Sequence, residues 1–327
     1  MKLKRILALL LAAAMVFSLA ACGSSEEETK ADETTAAAEE TTAAPETTAA
    51  PETTAAPETT AAPETTPAES AEEDVTAAPA DETEIIVFAA ASMTETLTEI
   101  KAMYEAANPG VVITYTFDSS GTLKTQIEEG AACDLFISAA QKQMNQLDIE
   151  QDEEKNPDRL DFVDSATRIN LLENKVALVV PEGNEAGLTS FEDLAAKLAG
   201  EGEFLMAMGN EDVPVGQYTQ KILAYYELSE EELAAAGKLT YGTNVKEVTT
   251  QVSQASVDCG IVYATDAFSA GLEVIDTATA EMCGQVIYPA AVLKTAANPE
   301  AAAAFLAYLT TPEAMAVFEA VGFSPVE

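Results

Sequence analysis

Alternating apolar and polar residues divide the chain beyond residue 85 into short strands and amphipathic helices. The apolar run Ile85 to Ala91 is typical of a buried parallel strand, and apolar residues then recur at helical spacing until Asn108-Pro109-Gly110 ends the helix. Val111 to Phe117 alternates and predicts a second strand, and after a short helix Asp134 to Ser138 predicts a third. This β-α-β-α-β order predicts a parallel sheet with crossover helices.

A second series of elements begins after Lys175. Its predicted strands are Val176 to Val180, Phe204 to Met208, Lys238 to Tyr241 and Cys259 to Tyr263. Its predicted helices are one that Ser190 caps, one from Gly216 to Tyr226 and one from Val245 to Gln254. The chain ends in a late strand and two helices, predicted at Val286 to Leu293, Pro299 to Leu309 and Pro312 to Glu319.

Two α/β lobes follow from this order of elements. We expect the strands near 175–180 and 286–293 to cross between the lobes and the last helices to return to the first one. The first lobe would then comprise residues 85–175 and 286–327, and the second lobe residues 176–285. Each lobe would be a mainly parallel sheet flanked by helices.

Residues 1–22 have the pattern of a secretory signal. Basic residues near the start precede the apolar run Ile6 to Leu19, which is short for a membrane-spanning helix. Small residues then lead to Cys22, an ending that resembles the bacterial lipobox and implies a lipid on that cysteine. The alternative is an ordinary cleaved signal with an incidental cysteine. We therefore expect an extracytoplasmic protein anchored to the cell membrane by lipid on Cys22.

Residues 23–84 differ in composition from the rest of the chain. Ala-Ala-Pro-Glu-Thr-Thr occurs four times in succession across residues 43–66, and residues 23–84 carry 18 acidic residues and one lysine. No aliphatic position recurs in the repeat, and the like charges repel one another, so the segment cannot offset the entropy of ordering. It is predicted to be an extended, disordered tether.

Charge and residue usage exclude several classes of function for residues 85–327. Of the 56 acidic and 16 basic residues of the chain, 38 and 12 lie in this part, a net charge of −26 that disfavours nucleic acid. Histidine is absent, which excludes imidazole metal sites and Ser-His-Asp triads. We expect Cys133, Cys259 and Cys283 to be buried thiols, because their number is odd and their spacing fits no metal site.

Hydrogen-bond donors follow several predicted strands, where ligands bind in open α/β sheets. The four places are Ala91-Ser92, Ser119-Ser120-Gly121, Val213 to Gly216, and Asn244-Val245 together with Tyr263. Each alone has an ordinary explanation, since a serine at a helix start (Ser92 included) is usually an N-cap and a buried tyrosine is usually packing. Together they predict an anion site built from helix N-termini and hydroxyls, without a basic side chain.

Such a site would select among oxyanions by their protons. A pocket that offers only donors rejects an anion that keeps a proton, as phosphate does near neutral pH, and accepts sulfate, molybdate or tungstate. Asp118 could accept such a proton, although a turn or capping role is the more ordinary one for an aspartate at this position.

The motifs resemble those of the molybdate-binding proteins of ABC importers across nearly all of residues 85–327. The matching segments are Val87 to Thr94, Phe117 to Leu123, Ala131 to Ala140, Val213 to Tyr218, Asn244 to Lys246, and Gly260 to Tyr263. The resemblance implies a two-lobed periplasmic-binding-protein fold of type II, with the ligand in the cleft between the lobes. It also implies no resident cofactor and molybdenum bound only as the oxyanion.

The resemblance also implies the residues that hold the anion. Ser92 and Ser120 would bind through hydroxyl and backbone N–H, Val215 and Val245 through backbone N–H, and Tyr263 through its phenol. Ser119 is the alternative to Ser120 if the loop register shifts by one residue. The implied partners are the small oxyanion, the membrane that receives the N-terminal lipid, and the permease of the importer. We expect a monomer that binds no nucleic acid.

Other functions are compatible with parts of the sequence. The same fold could bind sulfate or another tetrahedral oxyanion, because pocket size is not readable from the sequence. A serine hydrolase would need a base beside Ser92 or Ser120, and none stands at a recognisable spacing. A surface adhesin would use the tether as a stalk but would leave the ordered ligand motifs unexplained.

Overall fold

The computed structural model describes residues 82–326, which form two five-stranded sheets flanked by helices. The strands are β1 Thr83–Ala90, β2 Val111–Asp118, β3 Leu135–Ile137, β4 Ile169–Asn174, β5 Val176–Val180, β6 Met206–Gly209, β7 Leu239–Gly242, β8 Cys259–Tyr263, β9 Glu273–Thr277 and β10 Val286–Val292. The helices are α1 Thr94–Ala107, α2 Ser120–Glu128, α3 Gln141–Gln146, α4 Phe191–Ala199, α5 Pro214–Tyr225, α6 Glu230–Ala235, α7 Val245–Ser253, α8 Ala264–Ala270, α9 Ala280–Cys283, α10 Pro299–Tyr308 and α11 Pro312–Ala320. The predicted signal and Cys22 lie outside the described residues, as does the predicted tether up to residue 81.

The first sheet has the order β2-β1-β3-β10-β4, and we call the elements built on it the first lobe. β1 pairs in parallel with β2 and β3, whereas β10 is antiparallel to both of its neighbours, so four of the five strands share one direction. β1 begins at Thr83, two residues earlier than predicted. At the end of the chain, α10 packs on β10 and β1, and α11 packs on α1.

The second sheet has the order β7-β6-β8-β5-β9, and the elements built on it are the second lobe. β6 is parallel to β7 and β8, and β5 is the one reversed strand. The chain leaves the first sheet after Asn174 and enters the second at Val176, then returns between Thr277 and Val286. The predicted fold class, two α/β lobes with mainly parallel sheets, is confirmed.

Burial explains why the central strands form as they do. All five residues of β5 and all five of β8 are buried, as expected for strands covered on both faces. Ser190 caps α4 as predicted, since its side chain accepts from the N–H of Asp193. Ser92 does not take the N-cap role that is ordinary for a serine at a helix start: the chain passes through a short 3-10 turn, Ala91–Met93, and α1 begins only at Thr94.

Three cysteines lie in the described part of the chain. Cys133, Cys259 and Cys283 are buried free thiols, as predicted, and burial raises the pKa of the Cys133 thiol to about 12.

Between residues 82 and 326, no single helix is long and apolar enough to cross a membrane. One pair, α10 and α11, bent by 63° at its break, meets that test by length and composition only when taken together.

Candidate functional site

Two first-lobe serines lie side by side because β1 and β2 are parallel neighbours. Ala90 at the end of β1 is the register partner of Asp118 at the end of β2. Ser92 follows β1 in the 3-10 turn, and Ser120 opens α2 directly after β2. Both serines are buried at the carboxyl edge of the sheet, which is where α/β sheets bind ligands.

The adjacent serines 119 and 120 have different roles. Ser119 is the N-cap of α2: its Oγ accepts from the N–H of Thr122 at 3.1 Å and lies 2.9 Å from the Thr122 hydroxyl. The Ser120 Oγ instead accepts from the N–H of Ala139 at 2.9 Å, and the side chain is fully buried. The proton of the Ser120 hydroxyl therefore stays available for a ligand, whereas the Ser119 hydroxyl has both its partners on Thr122, within the helix cap.

The second lobe contributes two helix N-termini. Pro214 and Val215 open α5, and Val245 opens α7 behind the N-cap Asn244. α5 starts close against the end of β6, since a Cβ on Gly216 would lie 2.3 Å from the carbonyl oxygen of Gly209. Only glycine permits this approach, and it places the unpaired N–H groups of α5 at the interlobe edge.

A small cavity lies between these elements. Its walls are formed by residues from both lobes: Ala90, Ala91, Ser92, Asp118, Ser119, Ser120, Ala139, Val213, Pro214, Val245 and Tyr263. Four of the five predicted ligand residues thus lie in the wall. Val215 is not in the wall itself but directly follows Pro214, which is. The volume of about 10 Å³ is close to what one water molecule needs, so the lobes leave almost no free space between them here.

Tyr263 presents a hydroxyl to this region that has no hydrogen-bond partner among the described residues. Its side chain is 1% exposed, and a buried phenol without a partner is unfavourable unless something else binds it. Burial, with smaller effects of Tyr288 and Tyr218, raises the pKa of Tyr263 well above its ordinary value. The phenol therefore keeps its proton and can donate.

Backbone donors at the cavity are also free. The N–H groups of Ser92, Ser120, Val215 and Val245 donate to no other residue within the part of the chain that the structure describes. Three of them belong to the first turns of helices, whose N–H groups carry a partial positive charge. No lysine or arginine lies in the cavity wall. This set of donors is suited to hold a compact anion without a basic side chain.

One carboxylate oxygen of Asp118 accepts a hydrogen bond at the edge of the cavity. Its Oδ1 accepts the N–H of Ser119 at 2.7 Å, the local turn role that is ordinary for an aspartate here. Across residues 82–326, no three Cys, Asp or Glu side chains cluster in a way that could hold a metal ion.

Lys246 links the two lobes beside the cavity. Its Nζ lies 2.8 Å from Glu95 at the start of α1 in the first lobe and 3.2 Å from buried Asp266 in the second. The two acidic groups outnumber the single lysine, so its charge is offset within the protein and does not serve a ligand. Burial raises the pKa of Asp266 to about 6, although Lys246 opposes that shift. The sequence motifs did not reveal this pair.

A second contact joins the lobes next to the cavity residues Ser120 and Val213. The N–H of Gly121 in α2 donates to the backbone carbonyl of Asp212, before α5, at 3.1 Å. A Cβ on Gly121 would lie 2.2 Å from that carbonyl oxygen, so only glycine allows the two lobes to approach this closely here.

Comparisons with known proteins agree with this architecture. The family model of the bacterial extracellular solute-binding proteins matches residues 85–324. The Bacillus subtilis protein YvgL, whose name assigns it provisionally to the ABC transporter substrate-binding lipoproteins, is 34% identical over 73% of this chain and 86% of its own length. The molybdate-binding protein ModA of Escherichia coli is 35% identical over 75% of this chain and 90% of its own.

A solved structure gives the same fold. The periplasmic molybdate-binding protein of Azotobacter vinelandii superposes with a TM-score of 0.62 at 22% identity, covering 74% of this chain and all of that one. The resemblance drawn from the sequence motifs is confirmed at the level of the family. The chain is a member of the bacterial extracellular solute-binding protein family and belongs to the solute-binding proteins of ABC transporters.

Proposed function

We propose that this protein captures molybdate or tungstate between its lobes and delivers the anion to an ABC importer. The observation that carries the proposal is the set of unpaired donors from both lobes around one cavity whose wall holds no basic side chain. Relatives named as molybdate-binding proteins at about a third identity support this choice of anion.

Five residues would hold the anion. Ser92 and Ser120 would donate through hydroxyl and N–H, Val215 and Val245 through N–H, and Tyr263 through its phenol. A hydrogen bond to a charged group contributes about 1.5–3 kcal/mol, so five to seven of them support roughly micromolar to nanomolar binding after association costs. The net negative charge of the protein opposes the ligand, and the local dipoles must overcome it.

Binding would close the lobes. Ser92 and Ser120 belong to the first lobe and the other three donors to the second, so an anion bonded to both stabilises the closed form relative to the open one. A cavity of about 10 Å³ is smaller than a tetrahedral oxyanion needs, so the ligand would bind while the lobes are parted. The importer would then recognise the closed surface.

Anchoring belongs to the same proposal. Lipid on Cys22 would hold the protein at the outer face of the cell membrane, and residues 23–84 would act as a tether between anchor and lobes. Replacing Cys22 with alanine should release the protein from the membrane fraction without changing anion affinity. Retention of the Cys22→Ala variant at the membrane would contradict lipid anchoring.

A sulfate-binding protein with the same fold is the second candidate, because donors alone also suit sulfate. Catalysis by either serine is disfavoured by the hydrogen bonds that they make. The Ser120 Oγ accepts from a backbone N–H, and the Ser92 Oγ meets a phenol 2.9 Å away, so neither hydroxyl faces a base.

Calorimetric titration of the purified protein with molybdate, tungstate, sulfate and phosphate tests the proposal. Sub-micromolar binding of molybdate or tungstate, with weak binding of phosphate, is expected. Ser120→Ala should weaken binding by about 1–3 kcal/mol because a donor to the anion is lost. Ser119→Ala is the matched control: it removes the helix cap, so it should lower thermal stability more than affinity. Sub-micromolar sulfate binding without molybdate binding would exclude the proposal.

A further inference from the structure

Tyr288 is a buried phenol inside an otherwise apolar strand. It lies in β10, has no exposed surface, and its neighbours in the strand are all buried. Its hydroxyl lies 2.9 Å from the Oγ of Ser92 and 3.2 Å from the Nδ2 of Asn174. The sequence motifs did not single out either Tyr288 or Asn174, which lies at the end of β4 where the chain leaves the first lobe.

The orientation of the Asn174 amide is set by its other contacts. Its Oδ1 accepts from the N–H of Lys175 at 2.8 Å, so the Nδ2 must face the opposite way. That nitrogen has two hydrogens, and it donates one to the Thr265 hydroxyl at 2.9 Å and one to the Tyr288 oxygen. Because Thr265 lies in the first turn of α8 in the second lobe and Tyr288 belongs to the first, Asn174 joins both lobes at their junction.

Either hydroxyl of the Ser92–Tyr288 pair could be the donor, and the surrounding contacts favour Tyr288. The Tyr288 oxygen already accepts from Asn174, and the neighbouring Tyr263 hydroxyl makes no hydrogen bond to any described residue. The Ser92 Oγ, 2.9 Å away, is the acceptor within hydrogen-bonding distance for the single proton of the Tyr288 phenol. Ser92 then accepts on one side and has its own proton free for the cavity.

We infer that Tyr288 is a positioning residue that makes the Ser92 hydroxyl a donor to the anion and so helps to exclude oxyanions that carry a proton. This inference rests on the proposed function of the site. The N–H of Ala139 does the same for Ser120, which it holds as an acceptor at 2.9 Å. Both cavity serines thus present a proton, so neither of them offers an acceptor to a protonated oxyanion.

Tyr288→Phe removes the phenol hydroxyl and keeps the ring. Without its donor, the Ser92 hydroxyl can rotate and can also turn a lone pair to the ligand. Molybdate affinity should fall about fivefold to tenfold, part of the value of one hydrogen bond to a charged group. In the Ser92→Ala background, Tyr288→Phe should lower molybdate affinity by less than about twofold, because the residue through which Tyr288 acts is gone.

The ratio of arsenate affinity to selenate affinity distinguishes a positioning role from a structural one. A loss of structure alone would leave this ratio unchanged. Selenate and arsenate are close in size, but only arsenate keeps a proton near neutral pH. Measured by competition against molybdate, the arsenate affinity of Tyr288→Phe should rise about threefold or more relative to its selenate affinity. Tyr115→Phe is the matched control, since the Tyr115 hydroxyl is also buried and has no partner among the described residues, and it should change neither quantity.

The double-mutant cycle of Ser92→Ala and Tyr288→Phe, read by calorimetry, decides the inference. Asn174→Ser gives a second cycle that keeps the phenol and removes its donor, and a smaller loss, again coupled to Ser92, is expected. Equal losses in both backgrounds, or an unchanged ratio of selenate to arsenate affinity, would overturn the inference alone. A wild-type protein that binds no oxyanion would instead overturn the proposed function, and this inference with it.

Discussion

Gly121 offers the sharpest single perturbation of lobe closure. In this structure its N–H donates to the carbonyl of Asp212 across the cleft at 3.1 Å. An alanine Cβ would lie 2.2 Å from that oxygen and 2.9 Å from the Asp212 Cα, where ordinary contact begins near 3.4 Å. Both opposing atoms are backbone, so the lobes must part by more than about 1 Å to relieve the overlap.

The expected loss of affinity follows from the contacts that this separation removes. The Gly121 hydrogen bond contributes about 0.5–1.5 kcal/mol, and at least one donor bond to the anion contributes about 1.5–3 kcal/mol. A loss of about 2–4 kcal/mol corresponds to a roughly 30-fold to 1,000-fold weaker Kd for molybdate. Thermal stability without ligand should be unchanged or slightly higher, because alanine favours the helix that contains this position.

Gly130, just beyond the C-terminal end of α2, provides a control in which stability should change and affinity should not. Its φ is +89° and nothing lies within 4 Å of a Cβ there, so alanine is strained but obstructs nothing. Gly130→Ala should lower the free energy of unfolding by about 1–2 kcal/mol and leave molybdate affinity unchanged. Calorimetric titration and thermal melts of both variants make the comparison. If Gly121→Ala binds molybdate like the wild type, the closed arrangement is not the binding form.

Three further changes test other parts of the structure. Lys238→Met removes a buried ammonium that donates to the last carbonyls of α4, so the free energy of unfolding should fall by about 1–3 kcal/mol while affinity is kept. Burial raises the pKa of Asp266 to about 6, so the folded protein favours the protonated carboxyl. The stability that this contributes is fully present below about pH 4 and is lost as the pH rises through 6. Asp266→Asn should therefore gain stability over the wild type between pH 4 and 7, by at most about 3 kcal/mol in chemical denaturation. Glu95→Gln removes the interlobe ion pair with Lys246 and should weaken molybdate binding by less than about 1 kcal/mol. The difference from the wild type should shrink in 1 M salt, and an equal difference at all salt concentrations would contradict a role of the ion pair.

Elements in the centre of the sheets were predictable from sequence because burial marks them. β5 and β8 are continuous apolar runs with clear ends, and both were predicted with their observed bounds. β9 was missed because it is a largely exposed edge strand with charged residues, which lacks both the apolar run and the alternation. α8 was missed because it follows Tyr263 without a breaker or a side-chain cap.

At the site, the sequence predicted which segments would meet but not how each hydroxyl is used. Ser119 and Ser120 look equivalent in the sequence, and only the contacts with Thr122 and Ala139 separate cap from free donor. Ser92 looked like a helix cap because a strand precedes it and a helix follows. Its actual partner, Tyr288, lies 196 residues away, a distance that local pattern cannot span.

Locating the bound anion in a crystal is the most direct test of the proposed site. A crystal structure of the purified protein with tungstate, with data collected at the tungsten absorption edge, locates the metal independently of any assumption about the site. We predict one strong anomalous peak between the lobes, with the hydroxyls of Ser92, Ser120 and Tyr263 and the N–H groups of Val215 and Val245 within hydrogen-bonding distance of its oxygens. A peak elsewhere on the protein, or an anion held by lysine or arginine side chains, would contradict the account.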